Sequence, residues 1–256
     1  MSGNVDFTGK KCLVTGAGRG IGRALVAELD ARGALVYAVT KNSDNLQKLV
    51  SEFPKVIPIL ADLSNPEEIK NKIEPIETLD VLINNAGVCE PAATMDISWE
   101  SCDRIMNVNF KAVVLVTQII AKKMIARGSG GSIVNISSVS GISPLPFIGA
   151  YACSKAAVNM LTKMFALELG PHQIRVNAIA PAVVATDMTN MRTYVPDASE
   201  TEKPPPLVGI LGRTPTNTYE MPMSDIVNTT LFLASNNQTS QLTGQVLAVD
   251  GGYLAH

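Results

Sequence analysis

This 256-residue sequence has few histidines, no closely spaced cysteine pair and little net charge. Cys12, Cys89, Cys102 and Cys153 lie far apart without a CxxC pair, which argues against a disulfide framework and a zinc site. We expect four reduced, buried thiols, typical of a cytoplasmic protein. His172 is the only internal histidine, and we interpret it as a surface or capping residue. The scattered charges sum to −2, which disfavours nucleic acid and anionic membranes as partners.

Long uninterrupted apolar runs are absent too. Residues 1–10 are polar and lack a signal-peptide pattern, and the apolar stretches are strand-length or broken by charges, so no transmembrane segment is expected. Hydrophobic residues nevertheless make up 46% of the chain, enough for a large core. No linker divides the chain, which predicts a single domain over 1–256. We expect a cofactor half over about 8–140, a catalytic and substrate half over about 141–256, and a proline-rich lid over about 186–222.

Short apolar runs alternate with helix-length segments along the sequence. The runs predicted as strands are apolar throughout rather than alternating, as in parallel sheets covered on both faces, and they span 10–16, 35–40, 56–63, 79–87, 131–138, 173–181 and 246–252. A helix is predicted over 21–32 after the first run. This order predicts an α/β fold, a doubly wound parallel sheet of Rossmann type with helices on both faces.

A glycine-rich turn follows the first predicted strand. Gly16, Gly20 and Gly22 fit the spacing GxxxGxG, whereas the usual GxGxxG spacing fails at Ile21. Glycines at such a turn let backbone N–H groups approach a pyrophosphate at the start of the next helix. The position between strand and helix therefore predicts a dinucleotide-binding turn.

Several motifs together resemble the short-chain dehydrogenase/reductase family. They are TGAGRGIG over 15–22, NNAG over 84–87, Ser138, and Tyr151 followed by Lys155. Within that family, residues 161–181 and the ending TGQVLAVDGGYLAH are most similar to the dicarbonyl/L-xylulose reductase group. The resemblance implies catalytic roles for four residues: Asn109, Ser138, Tyr151 and Lys155. It also implies cofactor contacts at Gly16, Arg19, Gly20, Ile21, Gly22, Lys41, Asp62, Leu63, Asn85, Ala86, Gly87, Tyr151, Lys155, Pro181, Val184 and Thr186.

The implied reaction needs a hydride from the cofactor and a proton from the protein. Tyr151 and Lys155 are four residues apart, so a helix places them on one face. A free tyrosine has a pKa of about 10, and we expect the Lys155 ammonium and a bound nicotinamide cation to lower it. Ser138 can hydrogen-bond the substrate oxygen. No metal is required.

The end of the second predicted strand bears on the choice of cofactor. NAD enzymes usually place an acidic side chain there for the ribose 2′-hydroxyl, whereas this strand continues into Lys41 without an acid before Asp44. A carboxylate would repel a 2′-phosphate, and Lys41 together with Arg19 offers two cations instead. We therefore expect NADP(H).

The substrate is predicted less directly. A small ketose or α-dicarbonyl follows from the group resemblance, with a pocket formed by Ser138, Val139, Leu145, Ile148, Tyr151, Val183 and Met191. Residues 144–150 are unusually apolar, and Pro181 is followed by alanine where the family has glycine. A larger lipophilic alcohol or ketone, such as a steroid or retinoid, is the first alternative. A non-catalytic dinucleotide-binding protein is the second.

Two predicted helices carry apolar residues around more than one stripe, over 109–120 and 151–170. In the resembled family, the corresponding helices pair between subunits. We therefore expect a homo-oligomer, most simply a homotetramer, whereas burial within one chain is the alternative.

Overall fold

The computed structural model describes residues 5–186, 188 and 214–255. Within these residues seven parallel strands form one sheet in the order β3-β2-β1-β4-β5-β6-β7. The strands are β1 (Lys11–Thr15), β2 (Leu35–Thr40), β3 (Ile57–Leu60), β4 (Val81–Asn84), β5 (Gly131–Ile136), β6 (Ile174–Pro181) and β7 (Val246–Val249). All seven predicted strands are present, which confirms the doubly wound fold. The lid predicted over 186–222 falls mostly outside the described residues.

Three of the seven helices described begin where a short polar side chain accepts backbone hydrogen bonds. The seven helices are α1 (Gly20–Ala31), α2 (Ser43–Glu52), α3 (Pro66–Ile73), α4 (Trp99–Met106), α5 (Ala112–Arg127), α6 (Gly149–Leu169) and α7 (Met223–Ala234). Asn42 and Asn65 cap α2 and α3, and Ser98 caps α4. Such caps satisfy backbone N–H groups that have no partner within the helix.

Two apolar layers enclose the sheet. On one face, Leu25 and Leu29 of α1 pack with Leu231 of α7. On the other face, Ile120 of α5 and Phe165 of α6 belong to a second buried cluster. The central strands are buried on both faces, as predicted, because helices cover both sides.

The two edge strands depart from that expectation. Leu60 of β3 is 47% exposed and Leu247 of β7 is 41% exposed. Each edge strand has only one neighbour in the sheet, so cover by the helices is incomplete there.

The sheet reverses its winding direction between β1 and β4. From β1 the chain moves outward through β2 to β3, then returns to place β4 on the other side of β1. The carboxyl ends of β1 and β4 therefore border a crevice, and Thr15 and Asn84 end these two strands. Ligands of doubly wound sheets bind at such a point.

The two helices expected to pair between subunits differ in exposure. In α5, Val113, Val116 and Ile119 are buried within the chain, so the alternative explanation holds for most of that helix. In α6, Met160 and Leu167 remain 59% and 74% exposed, together with Met164. Of these two helices, only α6 presents a pronounced apolar stripe to solvent.

One helical stretch of the described residues has a length and composition compatible with a membrane span. It runs from Trp99 to Arg127, and half of its most apolar window is buried inside the structure. Buried core helices meet the same criterion, and α5 packs in the second apolar cluster.

The four cysteines are free thiols, as expected, but three of them are not fully buried, contrary to the expectation. Cys12 is buried in β1, Cys89 and Cys102 are half-buried, and Cys153 is exposed. The latter three lie on loops and outer helix faces rather than on central strands.

Candidate active site

The glycine turn after β1 leaves no room for side chains. Gly16 and Gly20 have φ angles of 65° and 54°, a region that favours glycine. A Cβ on Gly22 would overlap the carbonyl oxygen of Gly16, so α1 packs directly beneath the turn. The first turn of α1 holds no acidic residue, which leaves its positive end available to an anion. The turn therefore fits a pyrophosphate.

Side chains of β1 and the NNAG segment lock this turn in place. Thr15 Oγ1 accepts hydrogen bonds from the N–H groups of Asn85 and Ala86, at 2.9 and 3.0 Å. Asn85 Nδ2 donates to the Thr15 carbonyl at 2.9 Å. The carboxyl ends of β1 and β4 are thus joined at the point where the crevice opens.

A cleft of about 390 Å³ extends along the carboxyl ends of the strands. Every residue predicted to contact the cofactor lines it except Gly22, which lies below the turn. Val108, Ser137, Ser138 and Met188 line it as well. No group of three or more histidine, cysteine, aspartate or glutamate side chains within the described part of the chain could hold a metal ion.

Asn109 is fully buried in a π-helical turn, Asn107–Lys111, between α4 and α5. Its Oδ1 accepts the Val88 N–H at 2.8 Å, and its Nδ2 donates to the Val88 carbonyl at 2.9 Å. Nδ2 also donates to Ser154 Oγ at 3.0 Å, and that hydroxyl donates to the Tyr151 carbonyl at 2.6 Å. The Asn109 side chain therefore links the NNAG segment to α6.

Tyr151 and Lys155 lie one turn apart on α6, as their spacing predicts. Lys155 Nζ lies 5.6 Å from the centre of the Tyr151 ring and donates to the Ile136 carbonyl at 2.7 Å. A Cβ on Gly87 would lie 3.5 Å from both Asn109 Oδ1 and Lys155 Nζ. The structure thus brings the predicted catalytic residues together around the end of β5.

The pKa values of the pair differ from the expectation. Burial, followed by the nearby Cys89 thiol, raises the pKa of Tyr151 above its ordinary value, although a hydrogen bond with Ser138 opposes this. Burial lowers the pKa of Lys155 to about 8, against a smaller opposite effect of Cys89. Desolvation disfavours the charged forms of both groups, so the expected lowering of the Tyr151 pKa is not found in the protein without cofactor.

Sequence reasoning missed Cys89 as a neighbour of this pair. Burial raises the pKa of its thiol to about 11, while Lys155 acts in the opposite direction. Cys89 follows Val88, which Asn109 holds through two hydrogen bonds. No motif marks this position, and only the packing of the segment after β4 against α6 shows it.

The predicted 2′-phosphate cations line the far end of the cleft. Arg19 immediately precedes α1, and Lys41 follows β2; both are exposed and line the cleft with Asn42. Asp62 also lies near Lys41. Burial opposes ionisation of Asp62, but hydrogen bonds from Ser64 and the Lys41 charge keep its pKa below the ordinary value.

The predicted substrate wall is only partly present. Ser138 and Tyr151 line the cleft, whereas Val139 is 3% exposed and packs with the buried Tyr253. Leu145 and Val183 pack against that cluster. Val139 therefore belongs to a small buried cluster and does not line the cleft. Ile148 does not line the cleft either. Met191 lies outside the described residues.

The chain belongs to the short chain dehydrogenase family, because the model of that family matches residues 10–194. As a member of that family, it is an oxidoreductase that uses a nicotinamide dinucleotide.

Relatives and solved structures resemble the chain over nearly its full length. It is 43% identical to L-xylulose reductase of Mus musculus, covering 98% of this chain and 99% of the relative. It is 40% identical to carbonyl reductase [NADPH] 2 of Sus scrofa, with the same coverage. A crystal structure from Beutenbergia cavernae, described as a candidate NAD(P)-dependent gluconate 5-dehydrogenase with NADP bound at low occupancy, is 32% identical. It superposes with a TM-score of 0.87, over 98% of this chain and 99% of that one.

Proposed function

We propose that this enzyme is an NADPH-dependent carbonyl reductase of a small ketose or α-dicarbonyl, similar in activity to L-xylulose reductase. The observation that carries the proposal is that Ser138, Tyr151 and Lys155 line one end of a cleft that begins at the glycine turn, with Asn109 hydrogen-bonded to Ser154 of the same helix. The similarity to L-xylulose reductase and to carbonyl reductase [NADPH] 2 supports the substrate class. We further propose a single-domain cytoplasmic enzyme.

In this mechanism, the protein supplies orientation and a proton. The nicotinamide, when bound, supplies the hydride to the carbonyl carbon. Ser138 donates a hydrogen bond to the carbonyl oxygen, and the Tyr151 hydroxyl gives that oxygen its proton as charge develops. Lys155 stabilises the resulting phenolate, and Asn109 holds the segment after β4 against α6. The high Tyr151 pKa keeps the hydroxyl protonated, which suits a proton donor.

A substrate panel tests the reaction and the substrate class together. With NADPH as reductant, we expect kcat/KM for diacetyl and L-xylulose to exceed that for a bulky steroid ketone by at least ~10-fold, the scale of a pocket that discriminates by size. The measurement is NADPH oxidation at 340 nm, with the Tyr151→Phe variant as blank. A preference for the steroid would support the lipophilic alternative, which the apolar cleft residues Val108, Val184 and Met188 favour.

We also propose that the α6 stripe is covered by a second copy of this chain, in a homotetramer. Met160, Met164 and Leu167 recur at helical spacing and are all strongly exposed. Light scattering at micromolar concentration should give a tetramer mass, and Leu167→Glu should dissociate it into smaller species because a carboxylate would be desolvated at the interface. Met95→Glu is the matched control, since Met95 is 93% exposed outside α6. A monomeric wild-type protein would contradict the proposal.

A further inference from the structure

Ser138 receives two hydrogen bonds from one neighbour. It ends the extended segment after β5 and caps a short 3₁₀ turn, Val139–Gly141. Within that turn, the Ser140 hydroxyl donates to Ser138 Oγ at 3.0 Å, and the Ser140 N–H donates to the same oxygen at 3.2 Å. A serine hydroxyl offers two acceptor positions and one hydrogen. Ser140 therefore fills both acceptor positions of Ser138.

We propose that Ser140 is a positioning residue that fixes the direction in which Ser138 donates its hydrogen. This inference rests on the proposed function. Because both acceptor positions are filled, Ser138 acts only as a donor, toward the Tyr151 oxygen or the substrate carbonyl oxygen that replaces it. Without the Ser140 hydroxyl, one acceptor position of Ser138 becomes free, so the Ser138 hydroxyl can rotate and accept a hydrogen bond there instead.

The turn that carries Ser140 is fixed to the helix that carries the proton donor. Asn159 Nδ2 of α6 donates to the Gly141 carbonyl at 3.1 Å. A Cβ on Gly141 would lie 2.7 Å from the Lys155 carbonyl carbon, so the turn and α6 are in direct contact. Ser140 itself is only 4% exposed. The N–H and hydroxyl groups of Ser140 are therefore held in a fixed position relative to α6, which carries Tyr151.

Among the residues that the structure describes, polar groups of three elements act on Tyr151. Lys155 faces it from α6, Cys89 from the segment after β4, and Ser138 from the end of β5. Burial and Cys89 raise the Tyr151 pKa, and the hydrogen bond with Ser138 lowers it. Donation from Ser138 stabilises the phenolate more than the phenol, so its loss must raise the Tyr151 pKa.

The test measures the Tyr151 pKa directly, in protein saturated with NADP⁺. Tyrosine labelled with ¹³C at Cζ gives a shift that reports phenolate formation, and Tyr151→Phe identifies the signal. We expect Ser140→Ala to raise the Tyr151 pKa by about 0.5–1 unit, the size of one hydrogen bond. Carbonyl reduction should show a kcat lowered by about 3–10-fold, with Kd for NADPH unchanged.

Two further variants separate positioning from packing. Ser140→Thr keeps the hydroxyl and should restore the wild-type pKa. Ser140→Cys keeps the volume with a weak donor and should behave like Ser140→Ala, which covers the case in which the alanine variant does not fold. Ser143→Ala, just beyond the same turn, should leave the pKa at the wild-type value.

The outcomes for the two proposals differ. An unchanged Tyr151 pKa in both the alanine and cysteine variants, or failure of Ser140→Thr to restore it, would overturn the positioning role. The titration uses no substrate, so wild-type protein that reduces neither diacetyl nor L-xylulose would overturn only the proposed function.

Discussion

Replacing Tyr151 with phenylalanine is expected to lower kcat for carbonyl reduction by at least ~10²-fold, the usual scale for removing a general acid. The change deletes only the hydroxyl that donates the proton. The ring stays in place on α6, and Lys155 keeps its hydrogen bond to the Ile136 carbonyl. Cofactor affinity should therefore be retained. The measurement is steady-state NADPH oxidation together with NADPH binding by fluorescence.

A second tyrosine provides the control for that result. Tyr219 does not belong to the cleft lining, so Tyr219→Phe should keep wild-type turnover. Near-wild-type turnover in a folded Tyr151→Phe protein would remove Tyr151 from the mechanism. Loss of NADPH binding in the same variant would point instead to a damaged cleft.

Single substitutions of Lys41 and Arg19 by alanine should each raise KM for NADPH by about tenfold, the lower end for a hydrogen bond to a charged group. Both side chains are exposed at the far end of the cleft, where a ribose 2′-phosphate would lie if the glycine turn holds the pyrophosphate. KM for NADH should change little, because NADH lacks that phosphate. The loss at Lys41 is moderated by Asp62, which already interacts with this cation.

A matched lysine tests the specificity of that effect. Lys48 lies on α2, exposed but outside the cleft lining, so Lys48→Ala should leave both KM values unchanged. Lys41→Arg should retain most of the NADPH preference because the charge remains. A wild-type preference for NADH, or an unchanged KM for NADPH in both alanine variants, would contradict the NADP(H) assignment.

The central part of the fold could be predicted because its strands are continuous apolar runs. β5 and β6 coincide closely with the runs 131–138 and 173–181. β3 was expected to reach residue 63 but ends at Leu60, whose pairing with Thr40 is the last in the β2–β3 ladder. Leu63 lies beyond the strand but is buried as well, so the apolar run continues past the end of β3. Hydrophobicity alone therefore could not show where the strand ends.

The site was predictable where short motifs carry it, and not where its contacts span distant segments. The glycine turn, Tyr151 and Lys155 are recognisable in a few consecutive residues. The hydrogen bonds from Asn109 to Val88 and Ser154 cross 21 and 45 positions of the chain. The raising of the Tyr151 pKa by burial in the cofactor-free protein was not predicted, because that burial depends on packing that the sequence does not display.

The π-helical turn around Asn109 amounts to a one-residue insertion in an otherwise continuous helix. Deleting Val108 would restore ordinary α-helical pitch while rotating everything on one side of it by about 100° relative to the other. Asn109 could then no longer reach both Val88 and Ser154 while α5 kept its buried face. The extra residue in this turn thus lets one helix bury the apolar face of α5 and still direct Asn109 toward Val88 and Ser154. A single deletion would remove that arrangement while leaving nearly every side chain of the helix in the sequence.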